Sequence, residues 1–128
     1  MPRMLVSAPH FLVADVRRAA EYYRDKLGFR IIGYFFEEPP VFGMVDRDRA
    51  EIHLRRAYDG LRGSNRERVG DALDCYIRCK DVETLYAEFK ERGAVITLPP
   101  TLQSYGMKEI TVQDPDGFTI CFGQDMGN

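Results

Sequence analysis

Two stretches of the chain carry apolar residues at the spacing of an amphipathic helix, and the same residue types bound both. The first stretch follows Asp15 and stops before Gly28, and the second follows Asp81 and stops before Gly93. An aspartate can accept hydrogen bonds from the first backbone N–H groups of a helix, and glycine adopts the left-handed conformation that ends one. The pattern predicts two helices, whose apolar faces carry Val16, Ala19, Ala20, Tyr23 and Leu27 in the first and Val82, Leu85, Tyr86 and Phe89 in the second.

Short segments rich in β-branched and aromatic residues predict strands around these helices. They lie at 4–13, 29–36, 41–45 and 51–55 in the first half and at 73–79, 94–98, 108–112 and 118–123 in the second. Pro99 and Pro100 predict the end of the sixth strand, because proline cannot donate a hydrogen bond to a neighbouring strand. Each half is therefore expected to run strand, helix and three strands.

The two halves repeat at a nearly constant offset. Asp15 and Asp81 are 66 positions apart, and so are Tyr23 and Phe89. A fixed offset indicates one supersecondary unit built twice, and the seam between such units is a usual place for a small-molecule cleft. We expect one domain over 1–128, with module one at about 4–57, a linker or flap at 58–71 and module two at about 72–124.

Composition narrows the class of protein. The chain has 128 residues, 45% hydrophobic and 30% charged, with a formal net charge of −2, as is typical of a soluble globular domain. Acids and bases are mixed, so no basic stripe indicates nucleic acid, and no apolar run reaches the ~18 residues of a membrane span. Two of the three cysteines, Cys75 and Cys79, would lie about 13 Å apart on one strand, too far for a disulfide. Reduced thiols favour the cytoplasm.

Two short motifs suggest a family. Leu27-Gly28-Phe29 follows the first helix, and Asp114-Pro115-Asp116-Gly117 precedes the last strand. In this order they resemble the glyoxalase/bleomycin resistance protein/dioxygenase superfamily over about residues 6–124, with most likeness to the bleomycin-resistance type. The resemblance implies an α+β fold of two tandem βαβββ modules, which form a cup-shaped mixed sheet with the helices on its outer face.

The resemblance also locates the positions that hold a metal in enzymes of the superfamily. Carried over to this chain, they are Ala8, His53, Cys75 and Cys121. Alanine cannot bind a metal, and thiols are not the hard ligands that Mg, Mn, Fe or Ni sites use. We therefore expect no metal, no cofactor and no catalytic residue. Two alternatives stay open: a zinc site made by His53, Cys75 and Cys121, or a cysteine nucleophile with His53 as its base.

The candidate ligand contacts follow from the alternation of side chains along strands. If Ile52 and Leu54 face a helix, then their neighbours face the cup, where aromatic side chains can stack on a planar ligand. The candidates for ligand contact are His10, Tyr34, Phe36, Glu51, His53, Arg55, Cys75, Ile77, Tyr105 and Cys121.

These observations favour a small-molecule-binding protein that sequesters an aromatic or amphipathic ligand, such as an antibiotic, without metal chemistry. A strongly cationic drug such as bleomycin would favour a more acidic binder than a net charge of −2 provides. We expect a homodimer whose interface contributes to the binding cleft, and neither nucleic acid nor membrane as a partner. The alternatives are a divergent metal-dependent lyase of the glyoxalase type, a dioxygenase, or an accessory domain with a vestigial cup.

Overall fold

The computed structural model of the chain describes residues 1–58 and 63–127. The chain divides into two compact units, Met1–Arg62 and Gly63–Asn128, called here the first and the second unit. The first unit contains β1 (His10–Val13), α1 (Val16–Leu27), β2 (Arg30–Phe35), β3 (Phe42–Arg47) and β4 (Ala50–Arg56). The second contains β5 (Cys75–Arg78), α2 (Val82–Arg92), β6 (Val95–Leu102), β7 (Met107–Gln113) and β8 (Thr119–Asp125).

Each unit forms its own four-stranded mixed sheet. The strand orders are β1-β4-β3-β2 and β5-β8-β7-β6, so equivalent strands occupy equivalent places. The first strand of each unit pairs in parallel with the last one, and the other pairs are antiparallel. The prediction of two tandem βαβββ modules is confirmed. Of the predicted linker, 59–62 lies outside the described residues, and Asn65–Glu67 forms a single 3-10 turn.

Both helices begin and end at the predicted residues. The Asp15 carboxylate accepts a hydrogen bond of 3.0 Å from the backbone N–H three positions along, and Asp81 makes the equivalent bond at 3.4 Å. Gly28 and Gly93 follow with φ values of 73° and 83°, which a residue with a side chain rarely adopts. All five predicted residues of the α1 face are buried. None of the described helices is long and apolar enough to cross a membrane.

Helix α2 covers its sheet less completely. Val82 and Phe89 are fully buried, whereas Leu85 and Tyr86 are half-buried. The Phe89 ring packs edge-on against Phe122 of β8, with 5.0 Å between the ring centroids. The face of the second sheet that carries Phe122 is therefore the face that α2 covers.

Two strands differ in length from the prediction. β1 begins at His10 instead of residue 4, and residues 1–7 are exposed. The Pro9 carbonyl accepts a hydrogen bond from the His53 N–H. β6 continues through Pro99 and Pro100 to Leu102, where the sequence predicted its end. The prolines are tolerated because β6 is an edge strand paired only with β7, and its register shifts on either side of Leu98.

Candidate ligand-binding site

The open face of the first sheet presents a polar set from β1 and β4. Glu51, His53 and Arg55 alternate with Ile52 and Leu54, which are completely buried. Side chains that alternate with the core point to the uncovered face of the sheet. The orientation expected for these three residues is therefore the one observed.

A chain of hydrogen bonds links this polar set to β1, where His10 lies in register with His53. The His10 Nε2 and His53 Nδ1 atoms are 3.0 Å apart, and the His53 Nε2 atom is 2.6 Å from Glu51 Oε2. A carboxylate oxygen accepts, so the His53 Nε2–H donates to Glu51. When His53 is neutral, its Nδ1 atom accepts from His10 Nε2–H. His10 then presents the lone pair of its Nδ1 at the exposed end of the chain.

Two aromatic rings lie beside the pair of imidazoles. Phe42 of β3 contacts His10 and His53, with centroid distances of 5.8 Å and 5.4 Å. Phe35 of β2 lies in register with Phe42, 6.2 Å away between centroids, and is 40% exposed. These two phenylalanines add an apolar surface to the open face, and Arg55 is also in register with Phe42.

Tyr34 and Phe36 are not on this face, so their expected orientation was wrong. Tyr34 is in register with Gly43, where a Cβ atom would lie 2.8 Å from Val16 of α1, and the Arg17 guanidinium lies 4.5 Å above its ring. The β2–β3 pairing therefore turns Tyr34 toward α1. Phe36 lies beyond the end of β2 with φ of 63°, outside the alternation. Phe35, instead of Tyr34 and Phe36, is the residue of this segment that lies on the open face.

The open face of the second sheet is built around a buried carboxylate that the sequence analysis missed. Glu109 of β7 is only 5% exposed. Its Oε2 atom accepts hydrogen bonds from the hydroxyls of Tyr76 and Tyr105, both at 2.7 Å. Cys121 lies near this carboxylate on the same open face.

Glycine makes this arrangement possible. Gly123 of β8 lies in register with Glu109, and a Cβ atom there would be 1.9 Å from the Tyr76 hydroxyl oxygen. The Tyr76 ring thus crosses the sheet directly over Gly123 to reach Glu109. A side chain at position 123 would occupy the space of the phenol.

The carboxylate changes the acid–base properties of its neighbours. The hydrogen bond to Glu109 is the main cause that raises the pKa of Tyr105 to about 12. Burial first, and the hydrogen bond to Glu109 second, raise the pKa of Tyr76 far above its ordinary value. Burial and the Glu109 charge raise the pKa of Cys121 to about 12. Cys121 is therefore a protonated thiol at neutral pH and a poor nucleophile.

A cavity of about 470 Å³ opens on this face, within the second unit. The Thr97 and Thr111 hydroxyls form one hydrogen bond along its wall at 2.6 Å. The Thr119 hydroxyl is buried and has no hydrogen-bond partner. The cavity is lined by Arg66, Gly70, Asp71, Ala72, Leu73, Thr97, Leu98, Gln103, Tyr105, Glu109, Thr111, Gln113, Thr119 and Cys121.

Cys75 and Ile77 do not line this cavity, contrary to expectation. Cys75 is in register with Ile120, and Ile77 with Phe122, on the face that α2 covers. The neighbour of Cys121 on the open face is Tyr76 instead. Cys75 and Cys121 differ by one residue in register, and a difference of one residue places two side chains on opposite faces of the sheet. Because the two thiols point to opposite faces, they cannot converge on the zinc site considered above.

The donor groups of each unit do not fit the metal that the superfamily implies. In the first unit Glu51 is hydrogen-bonded to the Nε2 atom of His53, so only the imidazoles of His10 and His53 remain as metal donors. Catalytic zinc sites use at least three protein ligands. In the second unit Glu109 is hydrogen-bonded by two phenols. Within 1–58 and 63–127, no three His, Cys, Asp or Glu side chains are grouped to hold a metal ion.

Known proteins resemble this chain over nearly its whole length. A bleomycin resistance protein from Geobacillus stearothermophilus and one from Staphylococcus aureus are each 27% identical, with 96% of this chain and 98% of the relative aligned. A bleomycin resistance determinant encoded on the transposon Tn5 has a TM-score of 0.71 at 22% identity, covering 93% of this chain and 96% of the other.

Two further structures illustrate the functional range of the fold. TnmS3, an antibiotic binding protein from Streptomyces sp. CB03234, has a TM-score of 0.73 at 20% identity and 98% coverage of both chains. A glyoxalase-related enzyme from Clostridium phytofermentans reaches 0.77 at 15% identity and 97% coverage of both. Likeness at these identities shows the fold alone, because one fold hosts several functions.

The family itself is given by a sequence profile. The profile of the Glyoxalase/Bleomycin resistance protein/Dioxygenase superfamily matches residues 7–122. The tandem βαβββ architecture agrees with this match. The chain therefore belongs to the glyoxalase/bleomycin resistance protein/dioxygenase superfamily.

Proposed function

We propose that the protein binds and sequesters an aromatic or amphipathic small molecule, such as an antibiotic, and releases it unchanged. The observation that carries the proposal is the cavity of about 470 Å³ on the open face of the second sheet. Its volume is in the usual range for a small-molecule site, and its lining combines the Tyr105 ring with several polar groups. The curated relatives named as bleomycin resistance proteins support a ligand of the antibiotic class.

In the second unit we propose four ligand contacts. Tyr105 and Cys121 were predicted from the sequence, and Tyr76 and Glu109 are added from the structure. In the first unit, the open face offers a second contact surface for planar ligands. Its polar members are His10, Glu51, His53 and Arg55, and its apolar members are Phe35 and Phe42.

Sequestration without bond chemistry fits the state of the reactive groups. The Cys121 thiol is held protonated at neutral pH, and the imidazoles of His10 and His53 are hydrogen-bonded to each other. We therefore propose that the ligand is recovered with its mass unchanged and that binding needs no added metal.

A thermal-shift screen over antibiotics, bleomycin included, tests the function. A ligand at 100 times its dissociation constant stabilises the native state by about 2.7 kcal/mol, which raises the melting temperature measurably. Mass spectrometry of the recovered ligand then separates a binder from an enzyme. A ligand whose mass changes only when Ni, Mn, Fe or Zn is added would favour the lyase or dioxygenase alternative, and a screen without any shift would contradict the proposal.

We also infer a homodimer. The segment before β1 exposes Met4, Leu5 and Val6, an apolar arm that a second copy could cover. Light scattering at micromolar concentration is expected to give about twice 14.7 kDa, and Leu5→Ser is expected to shift the mass toward one chain. A wild-type mass of one chain would rule the dimer out. The three free thiols support a location in the reducing cytoplasm.

A further inference from the structure

The Glu109 carboxylate has only neutral partners. Two phenols hydrogen-bond to it, and no Lys, Arg or His of the described chain forms an ion pair with it. A buried carboxylate is costly unless a cation is nearby. Among the other residues that line the cavity, Arg66 and Asp71 have opposite charges, so Glu109 leaves the cavity with one excess negative charge.

A second polar group in the same cavity is unsatisfied. Thr119 is 6% exposed, its hydroxyl has no partner, and it lines the cavity. Buried polar groups are nearly always hydrogen-bonded in native proteins. An orphan hydroxyl in a cavity wall is therefore a position where a ligand can gain a hydrogen bond.

The register of β7 and β8 gives the separation of the two groups. Thr119 is paired with Gln113, which lies four residues along β7 from Glu109. At roughly 3.3 Å per residue, the two groups are about 13 Å apart along the sheet. The Thr97–Thr111 hydroxyl pair lies along the cavity wall and is already satisfied internally.

We propose that this cavity binds an elongated arm of the ligand with a protonated amine at the Glu109 end and a hydroxyl or carbonyl group at the Thr119 end. Glu109 is the specificity-determining residue for the charge, and Thr119 for the distal polar group. This inference rests on the proposed function, because it assigns the chemistry of the ligand that the cavity takes.

Fragment binding followed by NMR of the 15N-labelled protein tests the subsite without knowledge of the natural ligand. The probes are 8-aminooctan-1-ol, octylamine and 1-octanol, which share one chain and differ only in their ends. Both amines are expected to shift the backbone signals of Glu109 and Gly123, and the amino alcohol is expected to shift that of Thr119 as well. Glu109→Gln should weaken both amines about tenfold or more, as expected for a lost charged hydrogen bond, and leave 1-octanol within about twofold.

Two variants serve as controls. Glu91→Gln removes one negative charge from the exposed surface of α2, outside the cavity, and should leave all three affinities unchanged. Thr119→Val keeps the shape of the side chain and should weaken the two probes that carry a hydroxyl, the amino alcohol and 1-octanol, while octylamine binds as before. Circular dichroism melts establish that each variant is folded.

The outcomes separate this inference from the proposed function. Amine binding that survives Glu109→Gln, or signal shifts that map outside the cavity, would overturn the subsite. If an antibiotic binds while the affinity of the amines is unchanged by Glu109→Gln, only the subsite fails. If the amines bind at Glu109 while no antibiotic binds, the proposed function fails and the subsite stands.

Discussion

At the level of single residues, the second unit depends on a contact that requires glycine. Tyr76 reaches Glu109 only because Gly123 has no side chain beneath the ring. Tyr105 hydrogen-bonds to the same carboxylate and Cys121 lies beside it, so one substitution at position 123 would disturb the whole polar cluster. The cluster is a packing feature as much as an electrostatic one.

Gly123→Ala is expected to lower the free energy of unfolding by about 1–3 kcal/mol, the usual cost of overpacking. The added methyl group would force Tyr76 away from Glu109, so tyrosine absorbance should show one phenol titrating at lower pH than in the wild type. Gly70→Ala is the matched control, because a Cβ atom there meets nothing within 4 Å. Its effect should stay within about 0.5 kcal/mol. Equal effects of both substitutions would contradict the close approach.

The raised thiol pKa values make stability depend on alkaline pH. The pKa of Cys75 is raised to about 11 and the pKa of Cys121 to about 12, both from 9.0, chiefly because burial disfavours the thiolate. The unfolded chain releases these protons at lower pH than the native chain does, so the stabilisation is complete below pH 9 and is lost as pH rises toward 12. Urea unfolding at pH 7.5 and 10.5 should show this fall, and Cys121→Ala should make it shallower. A fall of the same size in the variant would count against the assignment.

At the level of secondary-structure elements, the caps define both helices. Each helix is held at its start by an aspartate and ends at a left-handed glycine. The buried faces lie between these caps, so a small change at a cap acts on the packing of the whole helix.

Asp15→Ala removes the acceptor that satisfies a free N–H group of α1 and should destabilise the protein by about 1 kcal/mol. Asp15→Asn keeps an acceptor oxygen at this position and should recover most of the loss. Denaturant unfolding at neutral pH measures both variants. Equal stability of the alanine and asparagine variants would show that the cap contributes nothing.

At the level of the whole molecule, the duplication gives each unit its own core. Tyr23 packs edge-on against Phe29 in the first unit, at 5.7 Å between centroids, and Phe89 packs against Phe122 in the second, at 5.0 Å. Tyr23 and Phe89 are both fully buried and occupy equivalent positions of the repeat. The repeat in the sequence is therefore a repeat of core packing.

Phe89→Ala is expected to cost about 3–5 kcal/mol, because it removes a fully buried ring and leaves a cavity under α2. Hydrogen exchange should show the largest loss of protection in β8, whose Phe122 packs against Phe89, and in β6 and β7, which α2 also contacts. Glu91→Ala, an exposed position on the same helix, should change stability by no more than about 0.5 kcal/mol. Loss of protection confined to other strands would contradict a core centred on Phe89.

Local patterns in the sequence determined the elements of this protein and their order. Caps and the 3.6-residue period predicted α1 and α2 with their ends, because these signals act between residues a few positions apart. The 66-residue offset and the two family motifs predicted the tandem fold. Alternation around Ile52 and Leu54 also predicted the face of His53, since its buried neighbours are unmistakably apolar.

Only the tertiary structure decided how strands lie beside one another. The register of β5 with β8 turned Cys75 toward α2 and brought Tyr76 to the open face. The pairing of β2 with β3 likewise turned Tyr34 toward α1 and brought Phe35 to the open face. Alternation gives two faces but does not say which partner residue lies opposite, and a shift of one residue exchanges the faces. Glu109 was missed for the same reason, because its partners are distant in sequence and meet only after the strands have paired.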